Sequence, residues 1–435
     1  MTSTSQSDLP AGSDGRERHR GHIAMFSIPA HGHVNPSLAI IRELVNRGYR
    51  VTYSINEEFA PRVEAAGATP VLYHSMMPPQ SSSDPTSAFP KEYLAAASMV
   101  LEEAIDVLPQ MEAAYDTDRP DLFLYDILAY TAPALADKWD IPIIQLSPTC
   151  VLWEGFEQDM APVLDAMEAT PAGLAYRAKF ASWLRDHGID TPSAEFVRRP
   201  QQCIVLIPRV LQPNEAKVAE SFTFVGPCLD GRPHQGNWQP PGDGRPVLLI
   251  SLGSASTTSV AFYRECITAF EDLDWHVVMA IGRYVDPNEL DPLPGNIEVH
   301  RFVPQLSVLS QAKAFITHAG MGGTVEGIYH AVPMVAVPEV RDQYVNAAHI
   351  AELGVGRCLP SQHVTAAALR AAVLEIAGDP DVARRLRQIQ EELRHAGGTN
   401  AAADLIEQRL ATAASRRGAG REGAGGPEYC STARR

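Results

Sequence analysis

Two histidines one glycine apart, His31-Gly32-His33, follow the first strongly apolar run of the chain, His22 to Ile28. A histidine at a strand tip with a carboxylate at a neighbouring tip is a general-base arrangement. Asp126, which ends the apolar run Asp121 to Tyr125, supplies that carboxylate. By accepting from one imidazole nitrogen it leaves the other to take a proton from an alcohol. The competing readings are Asp126 as the cap of the next helix and a His31/His33 metal pair, which lacks a third ligand nearby.

A second constellation lies between Ala314 and Asn346. An apolar run ending at Thr317 is followed by His318, Gly320, Gly322, Gly323 and Thr324, then by a helix-length gap and a second apolar run, Pro333 to Pro338. The pattern predicts strand, glycine turn, helix, strand. Free N–H groups at the start of such a helix suit a phosphate, the glycines allow close approach, and His318 adds a donor. Glu326 is placed to accept from a ribose hydroxyl, and Asp342-Gln343, at the next strand-to-helix junction, suit sugar hydroxyls. Ser254, in the glycine-serine turn after Pro246 to Leu252, is a second candidate for the same diphosphate. Phe302, followed by Val303 and Gln305, suits a pyrimidine, the ring stacking and the amide pairing with a base edge. The chain has neither a G-x-G-x-x-G after its first strand nor a G-x-x-x-x-G-K-[ST] run, so dinucleotide and Walker-type sites lose their main support. Three D-x-D runs, Asp116/Asp118, Asp272/Asp274 and Asp379/Asp381, fall in turns or at helix ends and read as solvated turns.

The elements that must hold these residues are legible as alternating strands and helices. After His22 to Ile28 the reading places a helix with Asn35 as N-cap and Pro36 at its first position, stopped by Gly48, and then a strand from Arg50 to Ile55. Residues 147–200 carry aromatics and methionines that suit either an adaptable apolar pocket or ordinary core. Residues 1–20 are expected to be a disordered leader, 21–227 a first domain, 228–245 a Gly/Pro-rich linker, 246–413 a nucleotide-sugar-binding domain and 414–435 a disordered tail. The fold class is α/β, with two facing doubly wound, Rossmann-like domains around a cleft. A net charge of −16 argues against nucleic-acid and anionic-membrane partners, and six scattered cysteines without a C-x-x-C point to a reducing compartment. No apolar stretch is long enough to span a membrane, and a cytoplasmic location is expected.

The segments FVPQ from Phe302, THAGMGGTVEG from Thr317 and VPEVRDQ up to Gln343 resemble the donor-binding signature of family 1 glycosyltransferases of the GT-B fold, most of all the actinomycete macrolide glycosyltransferases. The likeness runs from about His22 to about Gln408. It departs at Phe302, where many relatives have Trp, and at Gly322-Gly323, where plant members have Asn-Ser. The resemblance implies that His33 of the HGHVNP motif is the base and Asp126 its partner. It also implies transfer of glucose from UDP-glucose to a bulky apolar acceptor bound by the 21–227 domain, around residues 147–200. That acceptor would be a macrolide modified on its amino sugar, so that the reaction gives self-resistance. The UDP-sugar would be a co-substrate, with no cofactor and no metal required. A dTDP-deoxysugar transferase and a nucleotide-sugar epimerase are the rival readings.

Overall fold

The computed structural model describes residues 19–82, 90, 92–198, 200–229, 232, 235–253 and 260–422. The first half contains β1 (His22–Phe26), α1 (His31–Asn46), β2 (Arg50–Ile55), α2 (Ala60–Ala65), β3 (Thr69–Leu72), α3 (Tyr93–Tyr115), β4 (Leu122–Asp126) and α4 (Thr131–Trp139). It continues with β5 (Ile143–Ser147), α5 (Phe156–Glu168), α6 (Pro171–Asp186), α7 (Ser193–Arg198), β6 (Cys203–Val205) and β7 (Phe222–Phe224). The second half holds β8 (Val247–Ser251), α8 (Val260–Phe270), β9 (His276–Ala280), β10 (Ile297–His300), α9 (Gln305–Leu309), β11 (Ala312–Thr317), α10 (Met321–Tyr329) and β12 (Met334–Ala336). It ends with α11 (Arg341–Glu352), β13 (Gly356–Cys358), α12 (Ala366–Gly378), α13 (Pro380–His395) and α14 (Gly398–Glu422).

Each half is a parallel sheet built from continuous apolar runs, the pattern expected of strands covered by helices on both faces. The strand orders are β3-β2-β1-β4-β5-β6-β7 and β10-β9-β8-β11-β12-β13. Both sheets therefore reverse direction once, between β1 and β4 and between β8 and β11. In open α/β sheets that is where a ligand settles, beyond the carboxyl ends of the strands. The expected two doubly wound halves are present.

The expected start of the first helix is corrected, and the open readings elsewhere are resolved. Helix α1 begins at His31 behind Ala30 and not at Pro36, so both histidines sit in its first turn and Pro36 lies inside it. A proline near a helix start removes a single hydrogen bond and already has a helical φ, so the helix can begin ahead of it. Residues 147–200 form three helices. Phe180 and Trp183 of α6 are buried in the first-half core, whereas α5 has no buried residue at all. The last helix, α14, crosses back to the first half. Ala402, Ala403 and Ile406 are buried in the core formed by α1, β1 and β2. The expected tail from residue 414 overlaps α14, which runs to Glu422, and residues 423–435 lie outside the described residues.

The halves share apolar contact as well: Cys203, Val205, Ile207 and Leu211 join one cluster with Val247, Leu249, Phe315 and Val325. The two crossings between halves meet where Gly398 N–H donates to the Val225 carbonyl at 2.9 Å.

Candidate active site

Register places the first pair of groups. β1 runs parallel to β4 with Phe26 opposite Tyr125, so the end of β4 lies beside the turn that leads into α1. His33 Nδ1 is 2.8 Å and 2.9 Å from the two oxygens of Asp126. Asp126 is 1% exposed and also accepts from the Leu128 N–H at 2.9 Å, which fixes the carboxylate before any ligand arrives. An acceptor at Nδ1 makes that nitrogen the protonated one and leaves the Nε2 lone pair as the basic site. Burial pushes the His33 pKa down, but the charge of Asp126 and its hydrogen bond push harder in the other direction, and the pKa ends above the ordinary 6.5. The ring is 23% exposed, so it remains open on one side. His31 faces elsewhere: its Nδ1 accepts from Arg62 at 2.6 Å and its ring meets Phe59 edge-on. Among the described residues no group of three or more His, Cys, Asp or Glu side chains is placed to hold a metal ion. The D-x-D aspartates that have partners meet arginines or a helix start: Asp116 pairs with Arg119, Asp118 with Arg50, Asp272 with Arg370 and Asp381 with Arg384, and Asp379 caps α13.

The second sheet contributes a turn shaped by close approach. Between β11 and α10 the chain passes through Ala319 at φ +61°, a left-handed conformation uncommon for alanine. Asn346 of α11 holds it by donating to the Ala319 carbonyl at 2.8 Å. The His318 ring lies between two glycines. A Cβ on Gly320 would stand 2.3 Å from its Nε2, and one on Gly253 would stand 2.5 Å from its Cε1. Burial lowers the His318 pKa to about 4, so at neutral pH it is an uncharged donor. Its Nδ1 is buried without a hydrogen-bond partner among the described residues. Gly320 is the N-cap of α10, and the N–H groups of the next residues form the first-turn set that has no partner within a helix. Gly323 sits in a tight place as well, since a Cβ there would lie 3.2 Å from Thr317 Oγ1, which would have to give slightly.

The remaining expected donor-site residues divide. Phe302 is 59% exposed and open to stacking, and Val303 beside it is partly buried against the core. Asp342 is exposed in the first turn of α11. Gln343 is buried, and its carbonyl oxygen accepts from Glu339 N–H at 2.8 Å and Val340 N–H at 3.2 Å. Half of its amide is thus engaged in starting the helix. Thr324 is fully buried, so its side chain stands behind the turn and not on its open face.

Glu326 is 3% exposed and takes Arg232 Nη2 at 2.5 Å and Gln305 Nε2 at 2.6 Å. The other end of Gln305 accepts from Ser251 Oγ at 2.8 Å. Neither side chain waits unpaired for a ribose or a base, because a buried carboxylate without partners costs too much to persist. Ser254 lies outside the described residues. Sequence reasoning missed Arg232, Ser251 and Asn346. The only signal for Arg232 was a cation inside a Gly/Pro-rich joining segment.

Two doubly wound domains, with an imidazole–carboxylate pair at one switch point and a glycine turn around a neutral histidine at the other, define a glycosyltransferase of the GT-B fold. Comparison with known proteins agrees. Residues 264–407 match the family described as erythromycin biosynthesis protein CIII-like, C-terminal domain. The chain is 50% identical to the oleandomycin glycosyltransferase of Streptomyces antibioticus over 89% of its own length and 91% of the relative's. It is 41% identical to the NDP-glycosyltransferase YjiC of Bacillus licheniformis over 90% of this chain and 98% of that one. The crystal structure of the glycotransferase of kitacinnamycin superposes with a TM-score of 0.83 at 47% identity, covering 90% of this chain and 99% of that one. The chain belongs to family 1 of the glycosyltransferases, together with these enzymes.

Proposed function

We propose that this glycosyltransferase moves glucose from UDP-glucose to a hydroxyl of a macrolide antibiotic, on its amino sugar, and thereby inactivates the drug as a means of self-resistance. The observation that carries the reading is the His33–Asp126 pair: a buried carboxylate 2.8 Å from a partly open imidazole whose basicity is raised. His33 Nε2 takes the proton of the acceptor hydroxyl as that oxygen attacks the anomeric carbon. Attack comes from the face opposite the diphosphate, so the configuration inverts. Asp126 holds the tautomer and stabilises the imidazolium that forms. The first turn of α10 and the uncharged His318 donate to the departing diphosphate, and the scheme requires no metal.

On this reading the uracil stacks on Phe302, and the 3- and 4-hydroxyls of glucose meet Asp342 and Gln343. A deoxysugar would leave the free half of the buried Gln343 amide without a hydroxyl partner, which favours a sugar that keeps its 3- and 4-hydroxyls. Phe156, Met160, Val163 and Met167 on α5, none of them buried, suit a bulky apolar acceptor. Similarity to the oleandomycin enzyme supports a macrolide in that role. The location proposed is the cytoplasm; among the described residues no helix is long and apolar enough to cross a membrane.

The test is mass spectrometry of the purified protein incubated with a macrolide panel and, separately, UDP-glucose or dTDP-activated deoxysugars. The expected product is the macrolide plus one hexose, from UDP-glucose, with its antibacterial action lost. Transfer from the dTDP-sugars alone would replace the donor. UDP release without any acceptor product would replace transfer by hydrolysis or epimerase-like chemistry.

A further inference from the structure

The cation on Glu326 comes from the segment joining the two halves. Arg232 stands at φ +47°, in a conformation that a non-glycine residue keeps only where its surroundings hold it. Its guanidinium and the Glu326 carboxylate are 12% and 5% exposed, and the contact is 2.5 Å. A second guanidinium approaches from the first half. Arg62 donates to His31 Nδ1 at 2.6 Å and to Asn35 Oδ1 at 3.3 Å, in the first two turns of the helix that carries His33. Burial lowers the Arg62 pKa, Glu58 works against this, and the charge of Arg232 lowers it further, so the two cations sense one another. Arg62 with Glu58, and Arg232 with Glu326, are thus two partly buried ion-pair sets that face one another.

We infer that Arg232 is a donor-binding residue that exchanges partners: it holds Glu326 in the empty enzyme, and passes to the diphosphate when the ribose of the nucleotide sugar takes Glu326. The chemistry forces an exchange of this kind. Both Glu326 oxygens already accept, from Arg232 and from Gln305. Ribose hydroxyls can displace those donors because they too donate to a carboxylate. A displaced guanidinium has five donors and no acceptor, so it cannot bond to the carboxylate's new donors. It is matched to phosphate oxygens, which accept in the same fork geometry. The diphosphate is the next group along the donor from the ribose.

The inference rests on the nucleotide-sugar reading, and calorimetry separates the two. Full-length wild type, Arg232→Ala and Arg232→Lys are each titrated with UDP, TDP, uridine and thymidine. Exchange predicts that Arg232→Ala weakens the diphosphate by about 10-fold or more. The nucleoside should bind unchanged or tighter, because its competitor for Glu326 has gone, and Arg232→Lys should fall between. Equal weakening of nucleoside and diphosphate, or an unchanged diphosphate affinity, would overturn it by reducing Arg232 to a support for Glu326. Wild type that binds neither UDP nor TDP would remove the donor reading itself. Should Arg232→Ala show no cooperative thermal transition, Arg232→Met, which keeps the stem, serves in the same comparison.

Discussion

The contact between His33 and Asp126 sets both which ring nitrogen holds the proton and how tightly the imidazolium is held. Asp126→Asn keeps the shape but removes the charge. The imidazolium then loses its stabilising partner and gives up its proton at lower pH. The acid limb of the kcat/KM–pH profile should move down from its position above pH 6.5, while the plateau falls by about 10²- to 10⁴-fold. A steady-state pH series checks both. Phe302 presents a mostly open ring. If a base stacks there, Phe302→Ala should raise the donor KM by about 5- to 10-fold and leave kcat nearly unchanged. His33 and Asp126 were legible in the sequence because each follows an unmistakable apolar run and each has a type suited to one task. The state of Glu326 and Gln305 was not. Their present partners are each other, Ser251 and Arg232, and such contacts depend on how a distant joining segment folds back.

At the level of elements, the β11–α10 turn is the most constrained piece of backbone around the site. Gly320→Ala would put a methyl group 2.3 Å from His318 Nε2, so the ring must leave its place. The prediction is a loss of donor affinity of at least about 10-fold, with the cooperative melt retained, by calorimetry and thermal denaturation. Helix α14 is tied to α1, the helix that carries His33, and to the residues just after it. Arg47 Nη1 reaches Asp404 at 2.6 Å and Glu407 at 2.7 Å, and Tyr49 also donates to Glu407. Arg47→Ala should cost about 1 to 2 kcal/mol in urea unfolding, more than an isolated surface pair because several charges share one network. The longer strands were readable from apolar runs bounded by turn residues, whereas the short β3, β6 and β13 and the order of strands in each sheet came with the structure. The start of α1 was not readable, since Pro36 advertised a first position that the backbone did not need. The destination of α14 was equally hidden: nothing in the sequence around Ala402, Ala403 and Ile406 says which half will cover them.

For the molecule as a whole, acid sensitivity follows from its histidines. Burial lowers the pKa of His22 and of His318 to about 4. Between pH 6.5 and about 4 the unfolded chain therefore binds more protons at these sites than the folded one, and stability falls as pH falls. His33, with its raised pKa, acts in the opposite sense: its contribution is fully present below pH 6.5 and is lost as pH rises through the folded value. His318→Asn should flatten the loss of stability between pH 6.5 and 4.5, measured by urea unfolding at fixed ionic strength. The two-domain architecture was visible in the alternation of strands and helices. The shared apolar cluster and the paired crossings near Val225 and Gly398 came only with the structure, because both bring together residues far apart in the chain.

All of this turns on His33 as the base. The most direct test is kcat for hexose transfer from UDP-glucose to a macrolide by wild type and by His33→Ala, with donor affinity measured alongside. With His33 as the base, kcat should fall by at least about 10³-fold with donor binding unchanged, since the ring sits on the other sheet from the β11–α10 turn. A His33→Ala enzyme turning over within 10-fold of wild type would contradict it.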